Sequence, residues 1–128
     1  LKKLKLKREK LNIEIFRLTN ELNKKKYYYS EKSYVLRMEL ERLSLNCMKY
    51  FNVSLEDVKG TSRKGSIVEC RHTIFYILYL KDIFTFEDIG VLIGGRNHAT
   101  VLHGRNKIID FLGMDDERVK YLVKKINS

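Results

Sequence analysis

Apolar residues recur along the first third of the chain at helical spacing. Leu4, Leu11, Ile15, Leu18 and Leu22 follow one another at intervals of seven, four, three and four, the seam of an amphipathic or coiled-coil helix. The pattern fades through the polar stretch 23–33 and resumes at Leu36, Leu40, Leu43 and Cys47. Ser30 and Ser33 are candidate N-caps for a second helix, whereas the absence of Gly and Pro favours continuity. One long helix and a helical hairpin both remain open.

Beyond residue 44 the punctuation is sharper. Ser54 with Asp57, in "SLED", is a capping box that opens a short helix, and Gly60 ends it. Residues 59–66 form a loop carrying Lys59, Arg63 and Lys64. A long apolar helix is expected from about Ser66 to Asp82, with Ile67, Cys70, Ile74, Phe75, Ile77 and Leu78 toward the core. Apolar on nearly every side, it reads as the most buried element. Thr85 with Asp88 caps another short helix that ends at Gly94 and Gly95. A longer helix is expected from about Asn97 to Phe111, with Val101, Ile108 and Leu112, joined by Leu102 and Ile109, on its buried side. Asp115 or Asp116 caps a last helix ending near Ile126.

This pattern predicts an all-α fold: a multi-helix domain over residues 44–128 containing a helix-turn-helix, preceded by a long basic helical arm over residues 1–43. Strand signals are weak, since Val, Ile and aromatic residues seldom alternate with polar ones. The 128-residue chain has no proline and no glycine before Gly60.

Charge changes the picture by pointing to partners. The formal net charge is +10, and residues 1–37 hold 12 basic and 4 acidic residues. Such a balance favours nucleic acid or an anionic surface. For the arm, a packing or dimerisation role with a solvated face is expected first, a homodimer being one form of it. Contact with DNA phosphates comes next, and membrane contact is unlikely because the first two turns carry few large apolar residues. No 18-residue apolar run and no signal peptide are seen. Cys47 and Cys70 read as buried thiols of a reducing, cytoplasmic compartment.

The segment "IGGRNHATVLHGRNKI", residues 93–108, poses the chemical question. A glycine turn is followed at once by Arg96, Asn97, His98, Ala99 and Thr100. In a helix-turn-helix the second helix meets the major groove with its N-terminal residues, where donors and acceptors are needed. Helix N-termini also favour phosphate.

"GGRNHATVLHGRNKI" resembles the signature of the DnaA family of bacterial replication initiators, in its C-terminal DNA-binding domain (domain IV), roughly GGRDHTTVLHAxxKI. "YFNVSLEDVKG", "SRKGSIVECRH" and "TFEDIG" resemble further family segments, and the likeness covers about residues 45–126. The family's long helix normally contains an Arg-Gln pair at its start. The resemblance implies sequence-specific binding of double-stranded DNA. Arg63 would enter the minor groove, Lys64 and Arg71 would support it through phosphate contacts, and Arg96, Asn97, His98, Ala99 and Thr100 would occupy the major-groove and phosphate positions. Lys107 is a further phosphate contact by helix phase.

Four departures matter. Asn97 replaces an Asp and Ala99 a Thr, which predicts a site altered at one or two base pairs, each worth about 1–3 kcal/mol. Gly65 replaces a residue that is often basic. No GxxxxGK[ST] loop is present, so the family's ATPase domain has no counterpart here. A free-standing DnaA-like binder, as in a phage or mobile element, is expected rather than a fragment.

Catalysis is not expected. Cys70 and His72 point apart on a helix, and His98 and His103 are five residues apart, off the i, i+4 metal spacing. No cofactor is expected. The competing expectation is a structural protein or transcriptional regulator whose arm drives assembly and whose domain is a reused scaffold.

Overall fold

The computed structural model describes residues 2–128, with the side chains of residues 23–30 outside the description. All regular structure among these residues is helical. The order is α1 (Lys2–Phe51), α2 (Leu55–Lys59), α3 (Gly65–Leu80), α4 (Phe86–Leu92), α5 (His98–Gly113) and α6 (Glu117–Ile126). Two compact units divide the chain, Leu1–Val35 and Leu36–Ser128.

The backbone of α1 is helical across the polar stretch, so a hairpin is ruled out there. Ser33 lies inside the helix rather than at a cap, and the side chain of Ser30 lies outside the described residues. With no Gly or Pro to interrupt it, a polar gap costs the helix little backbone propensity. In the first unit Leu4, Leu11, Ile15, Leu18 and Leu22 are all between 53% and 70% exposed.

In the second unit the resumed seam does find a core. Leu36, Leu40, Leu43 and Cys47 are buried, each apolar side chain contributing about 1.5–3 kcal/mol by leaving water. Asn52 ends α1 in the left-handed conformation (φ 56°), an allowed departure for Asn. Its N–H donates to Met48 O at 3.1 Å. The capping boxes of α2 and α4 form as expected. Ser54 Oγ accepts from Asp57 N–H, Thr85 Oγ1 accepts from Asp88 N–H, and both are reciprocated.

Helix α3 is the central element. Cys70, Ile74, Phe75, Ile77 and Leu78 are buried, against Ile89 and Ile93 from the α4 region and Leu122 and Ile126 from α6. It starts at Gly65 and stops at Leu80, two residues short of Asp82, where φ turns positive. Cys47 and Cys70 are free, buried thiols that share a hydrogen bond, and this together with burial holds Cys47 protonated. Asp116, not Asp115, caps α6, accepting from Val119 N–H at 3.0 Å. The chain end is tied back to α1: Asn46 Nδ2 donates to Ile126 O at 2.9 Å, and Arg42 to Asn127 O at 3.1 Å.

One expectation for α5 needs correction. Val101 and Ile108 are buried, but Leu102 and Ile109 are each 37% exposed, and the residue that completes the buried stripe is Gly104. Positions 101, 104 and 108 lie on one helical face, and 102 and 109 lie at its flank.

Candidate nucleic-acid interface

Helices α4 and α5 meet through a turn with no slack. Arg96 N–H donates to Gly90 O at 2.7 Å. Gly94 and Gly95 have φ of +76° and +64°, the left-handed region that glycine enters without penalty. This turn leads directly into the first residues of α5.

Asn97 is the N-cap of α5. Its Oδ1 accepts from Ala99 N–H at 2.7 Å, while its backbone carbonyl accepts from Thr100 N–H at 3.0 Å. Asn97, His98, Ala99 and Thr100 are all exposed. Cap and open polar surface are therefore the same residues. Counting on from Ala99, His103 and Asn106 share its outward face at i+4 and i+7, and both are exposed. They were overlooked in the sequence, although helix phase alone marks them. Arg105 Nη1 donates to Asn106 Oδ1 at 3.0 Å while its guanidinium stacks over the Tyr79 ring at 5.1 Å. Lys107 is exposed, one helical repeat beyond Thr100 on the same side.

The basic loop lies between α2 and α3, with Arg63 and Lys64 exposed and Lys64 at the N-cap position of α3. Arg71 departs from its expected place. It is only 6% exposed, and its guanidinium faces inward. Nε donates to Val58 O at 2.8 Å, Nη1 to Ser62 O at 3.2 Å, and Nη2 to Asp57 O at 2.9 Å and Gly60 O at 3.1 Å. Those carbonyls close α2 and begin the loop, so Arg71 is committed to shaping the loop rather than presented to solvent.

Arg96 is half-buried and does the same from the other side. Nη1 donates to Ile93 O at 2.8 Å and Lys59 O at 3.2 Å, and Nη2 donates to Gly60 O. The start of α5 and the basic loop are thereby joined through two carbonyls, those of Lys59 and Gly60, the second of which also accepts from Arg71. Burial lowers the pKa of both arginines from its usual value, and the charge of Arg96 adds to the effect on Arg71.

Arg63, His72 and Lys107 line an open cleft of about 470 Å³ between the loop, α3 and α5, with Glu69 and Asp110 on its walls. His72 has its pKa pushed down to about 4, first by burial and then by Lys107, Arg71, His103 and Arg96. Its ring centroid lies 6.1 Å from that of Phe75. Burial and the basic groups nearby thus favour the neutral form of the His72 ring.

Among the described residues no group of three or more His, Cys, Asp or Glu side chains could hold a metal ion, and no helix is long and apolar enough to cross a membrane.

Residues 41–108 match the family model described as the bacterial DnaA protein helix-turn-helix. The chain is 36% identical over 74 residues to the chromosomal replication initiator protein DnaA of Porphyromonas gingivalis, covering 54% of this chain and 16% of that protein. It is 35% identical over 77 residues to the protein of the same name from Streptococcus thermophilus, covering 60% and 17%. The likeness to that of Streptococcus agalactiae is 32% over 77 residues. The aligned part thus spans about a sixth of each relative's length. Helices α2 to α4, most of α5 and the basic loop all fall inside the matched segment, and the chain belongs to the bacterial DnaA helix-turn-helix family.

Proposed function

We propose that this protein binds double-stranded DNA sequence-specifically, in replication initiation or its regulation. The first turn of α5 enters the major groove and Arg63 enters the adjacent minor groove, at sites like those of the DnaA family. The observation that carries this reading is the joint made by Arg96, which ties the exposed, polar start of α5 to the loop bearing Arg63. Two groove contacts on one duplex need a fixed mutual placement, and a shared hydrogen-bonded carbonyl supplies it.

In this reading Asn97, His98, Ala99 and Thr100 meet base edges and nearby phosphates. Lys64 and Lys107 meet phosphate, and Arg71 acts through the loop instead of touching DNA. The surroundings are the nucleoid in the cytoplasm. Activities seated in the rest of each relative's length are not carried to this chain.

A salt-matched titration of the full chain against a DnaA-box duplex, its single-base variants and a scrambled duplex tests the proposal. Box-like sequences should bind at least about tenfold tighter than scrambled duplex. Arg63→Ala should cost about 1–3 kcal/mol on the preferred site, whereas Lys107→Ala should weaken all duplexes evenly and reduce the salt slope by about one. Equal binding of every duplex would overturn the assignment.

The exposed seam of the arm favours a second element, pairing of two copies through the arm. Two DNA-binding units on one particle would then gain avidity.

A further inference from the structure

The arm carries more than an unpartnered seam, because its charges select a direction. With Leu4, Leu11 and Leu18 as one set of seam positions, Ile15, Leu22 and Arg8 fall on the alternate set, a heptad register over residues 4–22. These residues belong to one uninterrupted helix, and the apolar ones are more than half exposed. Leu6, Ile13 and Phe16 are also exposed but lie off the seam, on faces broken by Lys, Glu and Asn.

We propose that residues 4–22 pair with the same segment of a second copy, the two helices running antiparallel. This rests on the pairing of arms put forward above.

Consider first the seam. A parallel pair would set Arg8 directly beside the partner's Arg8 inside the apolar contact. An antiparallel pair sets Arg8 against the partner's Leu18, where its long stem packs and its head reaches water. Leu4 then meets the partner's Leu22, and Leu11 the partner's Ile15, so every other seam position is apolar against apolar.

The flanks agree. Residues 2–10 carry six basic side chains and one acidic, whereas residues 11–22 carry two acidic and one basic. Parallel pairing would lay the two cationic blocks side by side. Antiparallel pairing lays each beside the acidic segment and brings Lys7 to the partner's Glu21 twice, once on each side of the two-fold axis. The one unfavourable match is Glu14 against the partner's Glu14. It is already offset within each chain, because Arg17 Nη2 donates to Glu14 Oε1 at 2.7 Å.

In such a pair the two chains leave the paired segment at opposite ends.

Sedimentation equilibrium of the full chain, of Lys7→Glu, of Glu21→Lys and of an equimolar mixture of the two variants tests this. All changes lie on exposed arm positions, outside the packed unit, and circular dichroism checks that the helix persists. The wild-type chain should form dimers at micromolar concentration. Each single variant should dimerise about tenfold more weakly, since two attractive pairs become repulsive. The mixture should regain wild-type affinity, because the carboxylate introduced at position 7 of one variant meets the ammonium introduced at position 21 of the other. Dimers that Lys7→Glu leaves unchanged, or single defects that the mixture does not repair, would overturn the antiparallel direction while leaving pairing intact. A wild-type chain that stays monomeric at tens of micromolar, or that associates only on anionic vesicles or on duplex DNA, would overturn the pairing itself. Species larger than a dimer would assign the seam and the off-seam residues to a wider assembly and overturn the proposal as well.

Discussion

Arg71 and Arg96 donate to the same acceptor, the carbonyl oxygen of Gly60, from opposite sides of the basic loop. One arginine comes from the most buried helix and the other from the turn that launches α5. Two like charges would repel if left bare. Here seven hydrogen bonds to backbone carbonyls stand around them. The cations also face the C-terminal end of α2, the negative end of its peptide dipoles.

The first prediction concerns Arg71. Arg71→Ala leaves the carbonyls of Asp57, Val58, Gly60 and Ser62 without that donor in a largely buried setting, and should destabilise the domain by about 2–4 kcal/mol. Urea denaturation measures the loss. Amide exchange should also speed up over residues 59–65 beyond the global change. Arg71→Lys should recover only part, since an ammonium cannot span four acceptors with one fixed fork. Unchanged stability in Arg71→Ala would show that the loop holds its shape without it.

The second prediction concerns the turn. A Cβ built on Gly90 would overlap the backbone carbonyl oxygen of Arg96, which cannot move without losing the start of α5. Gly90→Ala should therefore cost about 2–4 kcal/mol, well beyond the ordinary helix preference for Ala, which has the opposite sign. Gly95 has open space around it, so Gly95→Asn, a residue that tolerates positive φ, should cost less than about 1 kcal/mol. Thermal unfolding of the two variants gives the comparison, and equal losses would contradict it.

Local chemistry explains what was legible before the fold was seen. Ser54 with Asp57, and Thr85 with Asp88, announce their helices because a capping box is complete within four residues. The glycine turn and the open polar start of α5 were visible for the same reason. Burial of Arg71 was not, because a charged side chain reads as solvated until the carbonyls that receive it are brought together from 9 to 14 residues away. Leu102 and Ile109 were misplaced because hydrophobicity marks a leucine but not a glycine, and Gly104 takes the buried position between Val101 and Ile108. The continuity of α1 depended on what was missing, Gly and Pro, rather than on any positive signal at residues 23–33.

The third prediction follows from His72. Its folded-state pKa of about 4 lies below the ordinary 6.5, so the folded protein favours the neutral ring. The unfolded chain therefore binds more protons between these values. Stability from this group is fully present above about pH 6.5 and is lost as pH falls toward 4. Carboxylates such as Glu39, whose pKa is lowered beside Arg42 and Lys81, also lose stability on acidification. The comparison must therefore be with His72→Gln, which keeps size and polarity but does not titrate. Urea midpoints taken from about pH 7 to pH 4 should fall more steeply for the wild-type chain. Parallel slopes would mean that neither burial nor the charges nearby disfavour the protonated ring.

The last prediction concerns Asn97, where the chain departs from the family pattern. As N-cap, its Oδ1 is engaged by Ala99 N–H at 2.7 Å, and the amide nitrogen is the end left for a partner. Bidentate reading of adenine uses both ends, the oxygen toward N6 and the nitrogen toward N7. The oxygen has a second lone pair, so cap and base can share it, but only with the side chain in its capped rotamer. Asn97→Asp keeps the cap and adds a negative charge at the positive end of α5, so folding stability should be unchanged or higher by about 0.3–1 kcal/mol. Asn97→Ala should lose about 1 kcal/mol. DNA preference should move differently. The Asp variant replaces a donor with an acceptor at the base edge, shifting the favoured base pair toward one that presents cytosine N4, with about 1–3 kcal/mol of discrimination. The Ala variant should flatten preference at that position alone. Thermal unfolding and selection from random duplexes, run on the same three proteins, separate the two roles. If Asn97→Asp leaves the selected sequence unchanged, Asn97 is a helix cap and the choice of site lies with its neighbours on α5.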